Sequence, residues 1–174
     1  MSKIAKDLSR IKAFVFDVDG VLSSATLLIG EDGQPLRTTN LHDGYAIRVA
    51  LEAGYKICII TGCKTDRIVK RFNLLGVTDV FIKVSKKIPV LDAWLADNSL
   101  TYEEIAYMGD DIPDLPCLRL AGLSAAPYDA ASEVLQTATF ISKIGGGYGC
   151  ARDLIESVMR AQDTWTPTTS AVGA

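Results

Sequence analysis

Asp17 and Asp19 stand two residues apart directly after a short apolar run, and Asp110, Asp111 and Asp114 crowd the end of another such run far down the chain. Between them, Thr61-Gly62 closes a third apolar run and Lys87 opens a segment of helical spacing. If these positions meet, so many carboxylates repel one another and raise one another's pKa unless a cation sits among them. A hard divalent ion with oxygen ligands, Mg2+, resolves that repulsion. A metal held by one or two carboxylates, with room left for water and a phosphate oxygen, is what phosphoryl transfer needs, because it neutralises charge on the transferred group. A remaining carboxylate then attacks phosphorus, and water hydrolyses the acyl phosphate.

The surrounding sequence has to carry those positions to one place. Ala13 to Phe16 reads as a buried parallel strand that stops at Asp17-Val-Asp-Gly. Leu27 to Ile29 and Leu36 to Thr39 flank the turn-rich Gly30-Glu-Asp-Gly-Gln-Pro, which predicts a β-hairpin inserted after the first strand, its apolar tip suited to a subunit contact. Apolar residues at helical spacing predict a helix from Asp43 to Ala53, ended by Gly54. A strand at Lys56 to Ile60, a helix around Lys64 to Leu75, a strand at Val80 to Ile82, a helix from Lys87 to Ala96 and a strand at Ile105 to Met108 follow. Beyond these are a helix near Leu115 to Ala121, a strand near Leu123 to Ala125 and helices near Ala130 to Ala138 and Cys150 to Arg160. Strands alternating with helices predict an α/β fold, a doubly wound, Rossmann-like and mostly parallel sheet with helices on both faces. In such sheets the ligand crevice lies outside the carboxyl ends of the strands, where the residues above fall. One domain over residues 1–162 is expected, with a disordered Thr/Pro/Ser/Gly/Ala-rich tail over 163–174.

The ordered set Asp17-Val-Asp-Gly-Val-Leu, Thr61-Gly62, Lys87 and Gly109-Asp-Asp-Ile-Pro-Asp resembles the four motifs of the haloacid dehalogenase (HAD) superfamily, from about Phe14 to Ile155. That resemblance implies Asp17 as nucleophile and metal ligand, and Asp19 as general acid/base with its backbone carbonyl on the metal. It implies Thr61, Gly62 and Lys87 on the phosphoryl oxygens, Asp110 as a further metal ligand, and Asp111 and Asp114 behind them, orienting waters or Lys87. Only the hairpin separates Leu22 from Asp43, so the match is to a capless member. This shape, with Asp43-Gly44 and the late Gly145-Gly-Gly-Tyr-Gly-Cys-Ala-Arg-Asp, resembles the 3-deoxy-D-manno-octulosonate (KDO) 8-phosphate phosphatases. The 9-phosphate phosphatases of nine-carbon keto-deoxy sugar acids (KDN) share nearly the same pattern. The likeness implies substrate contacts from Asp43 and Gly44, a role in lipopolysaccharide biosynthesis, and a homotetramer in which hairpins pack together and a neighbour roofs the pocket. The eight-carbon enzymes usually carry arginine directly after the Thr-Gly pair; this chain has Cys63, which keeps the nine-carbon substrate open and leaves Lys64, Arg67 or Arg71 to supply the charge.

Composition narrows the alternatives. A net charge of -3 offers no broad positive field for nucleic acid or an anionic membrane. With no long apolar run and no leader-like start, the chain is expected to be cytoplasmic. Cys58, Cys63, Cys117 and Cys150 lie too far apart for a zinc site or disulfide scaffold. Lys86 rivals Lys87, and His42, the lone histidine, has no required role. The run over Gly145 to Gly149 lacks dinucleotide-loop spacing and reads as a flexible loop or a lid over a neighbour's site. A catalytically silent HAD-fold binding subunit is the other class, against which Asp17 and Asp19 together argue. A phosphomutase would need a cap to exclude water.

Overall fold

The computed structural model describes residues 8–169. Strand β1 (Ala13–Phe16) is followed by an antiparallel hairpin, β2 (Leu28–Ile29) and β3 (Pro35–Leu36). Helices and strands then alternate: α1 (Leu41–Glu52), β4 (Lys56–Ile60), α2 (Asp66–Leu74), β5 (Asp79–Phe81), α3 (Lys87–Asp97), β6 (Ile105–Met108), α4 (Leu115–Leu120), β7 (Leu123–Ala126), α5 (Ser132–Thr137), β8 (Phe140–Ile141) and α6 (Cys150–Ala161). Apart from the hairpin, the strands form one six-stranded sheet in the order β5-β4-β1-β6-β7-β8, every pair parallel.

The two-residue period of a strand divides its side chains between two cores. Phe14, Phe16, Ile57, Ile59, Ala106 and Met108 face one side, where α1, α2 and α6 cover them. Ala13, Val15, Cys58, Ile60, Ile105 and Tyr107 face the other, under α3, α4 and α5. Both faces are buried, which is why β1, β6 and, after its exposed first residue Lys56, β4 read as apolar runs. Each fully buried Phe or Ile contributes about 1.5–3 kcal/mol, so the central strands anchor whatever stands at their ends.

The chain builds outward from β1 through β4 to β5, then crosses back to β6 and continues to β8 on the other side. The switch point therefore lies where β1 meets β6, and the N–H of Asp17 donates to the carbonyl of Met108 across it at 3.1 Å. Helix starts differ from the periodic reading where a side chain caps. Asn40 accepts the N–H groups of His42 and Asp43, starting α1 at Leu41, and Thr65 accepts that of Arg67, starting α2 at Asp66. The two-residue strand β8 is too short to show any period and was not predicted.

The segment 163–169, expected from composition to be disordered, instead lies on the domain. Trp165 packs edge-on against Tyr45, the guanidinium groups of Arg152 and Arg160 lie over its ring, and the hydroxyls of Thr164 and Tyr55 are 2.7 Å apart. One large aromatic ring outweighs its Thr- and Pro-rich neighbours in fixing the path. Residues 170–174 of the expected tail lie outside the described residues. Among the described residues no helix is long and apolar enough to cross a membrane.

Candidate active site

At the switch point, one carboxylate oxygen from each of Asp17, Asp110 and Asp114 lies within 4.8 Å of the others. Asp17 leaves the end of β1 and Asp110 follows β6, so pairing of the two strands sets their separation. Gly20, at φ +80°, permits this approach. A Cβ there would sit 1.9 Å from Asp110 Oδ2 and the conformation favours glycine, so any side chain would push Asp110 off.

The three acids are not equivalent. Asp114 Oδ1 accepts from Lys87 Nζ and from the Tyr107 hydroxyl, each at 2.7 Å, and its Oδ2 accepts the N–H groups of Asp110 and Asp111. Those donors use up its capacity and make it the holder of Lys87. Asp17 Oδ1 accepts from Val18 N–H at 2.7 Å and lies 3.0 Å from Lys87 Nζ. Asp110 accepts no side-chain hydrogen bond among the described residues. Burial pushes the Asp17 carboxyl up to about 6, opposed by Lys87 and reinforced by Asp114. Burial, then the charges of Asp17 and Asp114, push Asp110 to about 7. Burial alone would lower Lys87, but Asp17 and Asp114 more than offset it and hold the ammonium protonated. Donor-poor oxygens of Asp17 and Asp110, so close together, fit a hard cation.

Beside this cluster a cavity of about 410 Å³ is lined by Asp17, Asp19, Thr61, Gly62 and Lys87, but not by Asp110 or Asp114. Thr61 is buried at the end of β4, and its hydroxyl accepts Cys63 N–H at 3.2 Å, which shapes the Gly62 turn. Of the two rival lysines, Lys87 is 7% exposed and inside, whereas Lys86 is exposed. Asp111 spends its carboxylate on Ile112 N–H, away from the cluster. Exposed His42 does not line the cavity. Sequence reasoning missed Arg37, whose guanidinium grips Asp19, because nothing in the spacing links a lone arginine after β3 to an acid before the hairpin.

Asp43 and Gly44, expected to touch substrate, are not brought to this cavity. Helix α6 starts at Gly149, which has no side chain to cap it, and Asp43 Oδ1 supplies the cap from α1 by accepting Arg152 N–H at 2.8 Å. Its Oδ2 is buried without a partner among the described residues, and burial pushes the carboxyl up to about 6, only partly opposed by the Arg152 contacts. A raised carboxyl pKa penalises folding as pH climbs from the ordinary value through the folded one. The stability of Asp43→Asn relative to wild type should therefore rise between about pH 4 and about pH 7, by at most about 3 kcal/mol, from a shift of 3.8 to about 6. Urea melts of both proteins at the two pH values check this, and a difference independent of pH would count against it.

The glycine-rich run is packed within its own chain. Gly147 N–H donates to Val21 O at 2.7 Å, Gly146 N–H to Asp129 Oδ1 at 2.9 Å, and a Cβ on Gly146 would fall 1.8 Å from Gly20 O. The run thus braces the loop that follows Asp17, a contact between glycines that leaves no mark in the pattern of either segment.

No family model matches the chain. It is 35% identical over 152 residues to the 3-deoxy-D-manno-octulosonate 8-phosphate phosphatase KdsC of Escherichia coli (strain K12), covering 87% of this chain and 81% of that protein. The crystal structure of the 3-deoxy-D-manno-octulosonate 8-phosphate phosphatase from Yersinia pestis superposes with a TM-score of 0.90 at 32% identity, over 94% of this chain and 88% of that one. The Moraxella catarrhalis phosphatase of the same name, in complex with magnesium ion, phosphate ion and a KDO molecule, gives 0.90 at 26% identity over 95% of each chain. The sheet is that of a HAD-superfamily hydrolase, and the chain falls in the class of hydrolases acting on phosphoric monoesters. Within that class the chain belongs to the 3-deoxy-D-manno-octulosonate 8-phosphate phosphatase family.

Proposed function

We propose that this protein hydrolyses the phosphate of a keto-deoxy sugar acid, KDO 8-phosphate, with Asp17 as nucleophile and Mg2+ as cofactor. The observation that carries the reading is the cluster of Asp17 and Asp110 at the switch point beside Lys87. Asp17, Asp110 and the backbone carbonyl of Asp19 would hold the ion, and when bound it supplies positive charge opposite the phosphoryl group. An Asp17 oxygen attacks phosphorus as the bond from phosphorus to the sugar oxygen breaks, and Asp19 protonates the departing alkoxide. Asp19 then takes a proton from water, which attacks the aspartyl phosphate, releases phosphate and restores Asp17. Thr61 and the Gly62 turn donate to the phosphoryl oxygens, and Lys87 adds a charge from the Asp114 side. In this reading the enzyme works in the cytoplasm as a homotetramer, with Leu28 and Ile29 of the hairpin, 77% and 78% exposed, at the subunit contacts.

Buried Cys63, where the eight-carbon enzymes usually carry arginine, favours retaining KDN 9-phosphate as the second substrate. Comparison of kcat/KM for the eight- and nine-carbon esters decides between them. Activity with either should vanish on chelation and return with Mg2+, which should also raise the melting temperature. Absence of phosphate release from both esters in the presence of Mg2+ would end this reading.

A further inference from the structure

The glycine-rich run before α6 lies between the two loops that carry Asp17 and Asp110. On one side Gly147 N–H and the Cys150 thiol both donate to Val21 O, at 2.7 and 3.3 Å, and Gly146 abuts Gly20. On the other, Asp129 Oδ1 accepts Gly146 N–H at 2.9 Å, while Ala131 N–H, two residues along the same turn, donates to Asp110 O at 2.8 Å. We infer that Asp129 and Gly146 are positioning residues for the metal site, together fixing the distance between the Asp17 and Asp110 carboxylates. The inference rests on the proposal that these two acids hold Mg2+.

Three features make this contact a spacer. First, the loop after Asp17 moves as one piece, because Gly20 N–H donates to Ser23 O and the N–H groups of Val21 and Ser23 both donate to Val18 O. Second, that loop has no slack toward Asp110, whose Oδ2 lies 1.9 Å from where a Gly20 Cβ would be. Third, it has none toward the run, since a Gly146 Cβ would fall 1.8 Å from Gly20 O and a Gly147 Cβ 2.3 Å from Ser24 N. Asp110, Gly20 and Gly146 therefore touch in series, with Asp129 behind them, and a displacement of Gly146 is passed on to the acids.

The sheet does not do this unaided. Pairing of β1 with β6 sets the approach of the two loops but ends at Phe16 and Met108, and Asp110 lies two residues past that end. Beyond it the carboxylates repel each other whenever no ion is bound. A small hard cation tolerates little error in the spacing of its ligands, so a bracket that holds both loops from behind decides how tightly the ion is held.

The test measures the Mg2+ dissociation constant by calorimetry, and the melting temperature without metal, on the same preparations. Asp129→Ala should raise the dissociation constant about 10-fold, the worth of one hydrogen bond to a charged group. Asp129→Asn keeps an Oδ1 acceptor for Gly146 N–H and should stay within about threefold of wild type. Gly146→Ala, which drives a methyl group into the Gly20 carbonyl, should raise the constant about 100-fold. Both substitutions act through one contact, so the double variant should bind no more weakly than Gly146→Ala alone. Asp79→Ala removes a 2.7 Å bond from Trp94 Nε1 at the amino end of β5 and should lower the melting temperature without changing Mg2+ affinity. Asp129 is exposed, so its two variants carry the test if Gly146→Ala does not fold. Wild-type affinity in Asp129→Ala and Gly146→Ala, with melting temperatures lowered as in Asp79→Ala, would overturn the inference alone, since the run would then only stabilise the fold. Losses that multiply in the double variant would overturn it too. A wild type that binds no Mg2+ overturns the metal reading and this inference with it.

Discussion

Asp17→Asn is expected to fold and to lose turnover of KDO 8-phosphate by on the order of 10⁵-fold, the scale seen when a nucleophile is removed from a set of residues acting as a unit. An amide keeps the shape of the side chain and an oxygen for Val18 N–H, but it cannot form the acyl phosphate. Lys87 keeps Asp114 at 2.7 Å, so the cation is not stranded. The wild-type carboxyl is pushed up to about 6 by burial, with Asp114 adding to the effect. Replacing it with a neutral group removes a charge that the fold disfavours, so the metal-free variant should melt at the wild-type temperature or above. Its rise in melting temperature with Mg2+ should shrink, because one candidate ligand is gone. Phosphate release and thermal melts on the same samples measure both. Turnover within about tenfold of wild type would return the chain to the silent binding-subunit class.

The parts of this site that could be read from sequence are those fixed by strand ends. Asp17 and Asp110 terminate apolar runs, Thr61 closes another, and parallel pairing of β1 with β4 and β6 necessarily brings such ends together. Lys87 was legible because it opens a helix whose start is set by the turn before it. The contacts that escaped join elements with no shared periodicity. Arg37 reaches Asp19 only after a hairpin folds back, Gly146 meets Gly20 from far along the chain, and Asp43 leaves the expected substrate face for the uncapped start of α6. In each case the partner is chosen by an unsatisfied donor or a missing side chain elsewhere, which a local pattern cannot report. The fold of 163–169 escaped for a related reason, since the composition of a segment says little about the single ring, Trp165, that holds it.

Lys87 binds the chemistry and the fold into one electrostatic unit, and Lys87→Met should expose that. The ammonium is buried between Asp17 Oδ1 at 3.0 Å and Asp114 Oδ1 at 2.7 Å. Methionine fills similar space without charge, leaving Asp17, Asp110 and Asp114 with no buried cation beside them. Breaking a buried pair by removing one partner costs about 3–5 kcal/mol, so metal-free Lys87→Met should be destabilised by about that much at neutral pH. The pH dependence has a definite sign. Burial already pushes Asp17 up to about 6 and Asp110 up to about 7, and loss of the lowering charge of Lys87 moves both further up. The penalty is present above those values and fades as pH falls below them, so wild type and variant should converge in stability toward about pH 4. Mg2+ should restore part of the lost stability at neutral pH, because a cation held by the same oxygens replaces the missing charge. It should not restore kcat, which is expected to stay about 10²- to 10³-fold down, the cost of removing one preorganised charge from the transferred group. Lys86→Met, one residue earlier and exposed, should show neither effect. Equal behaviour of the two variants in denaturant melts and phosphate-release assays would mean that the buried ammonium holds neither the acids nor the substrate.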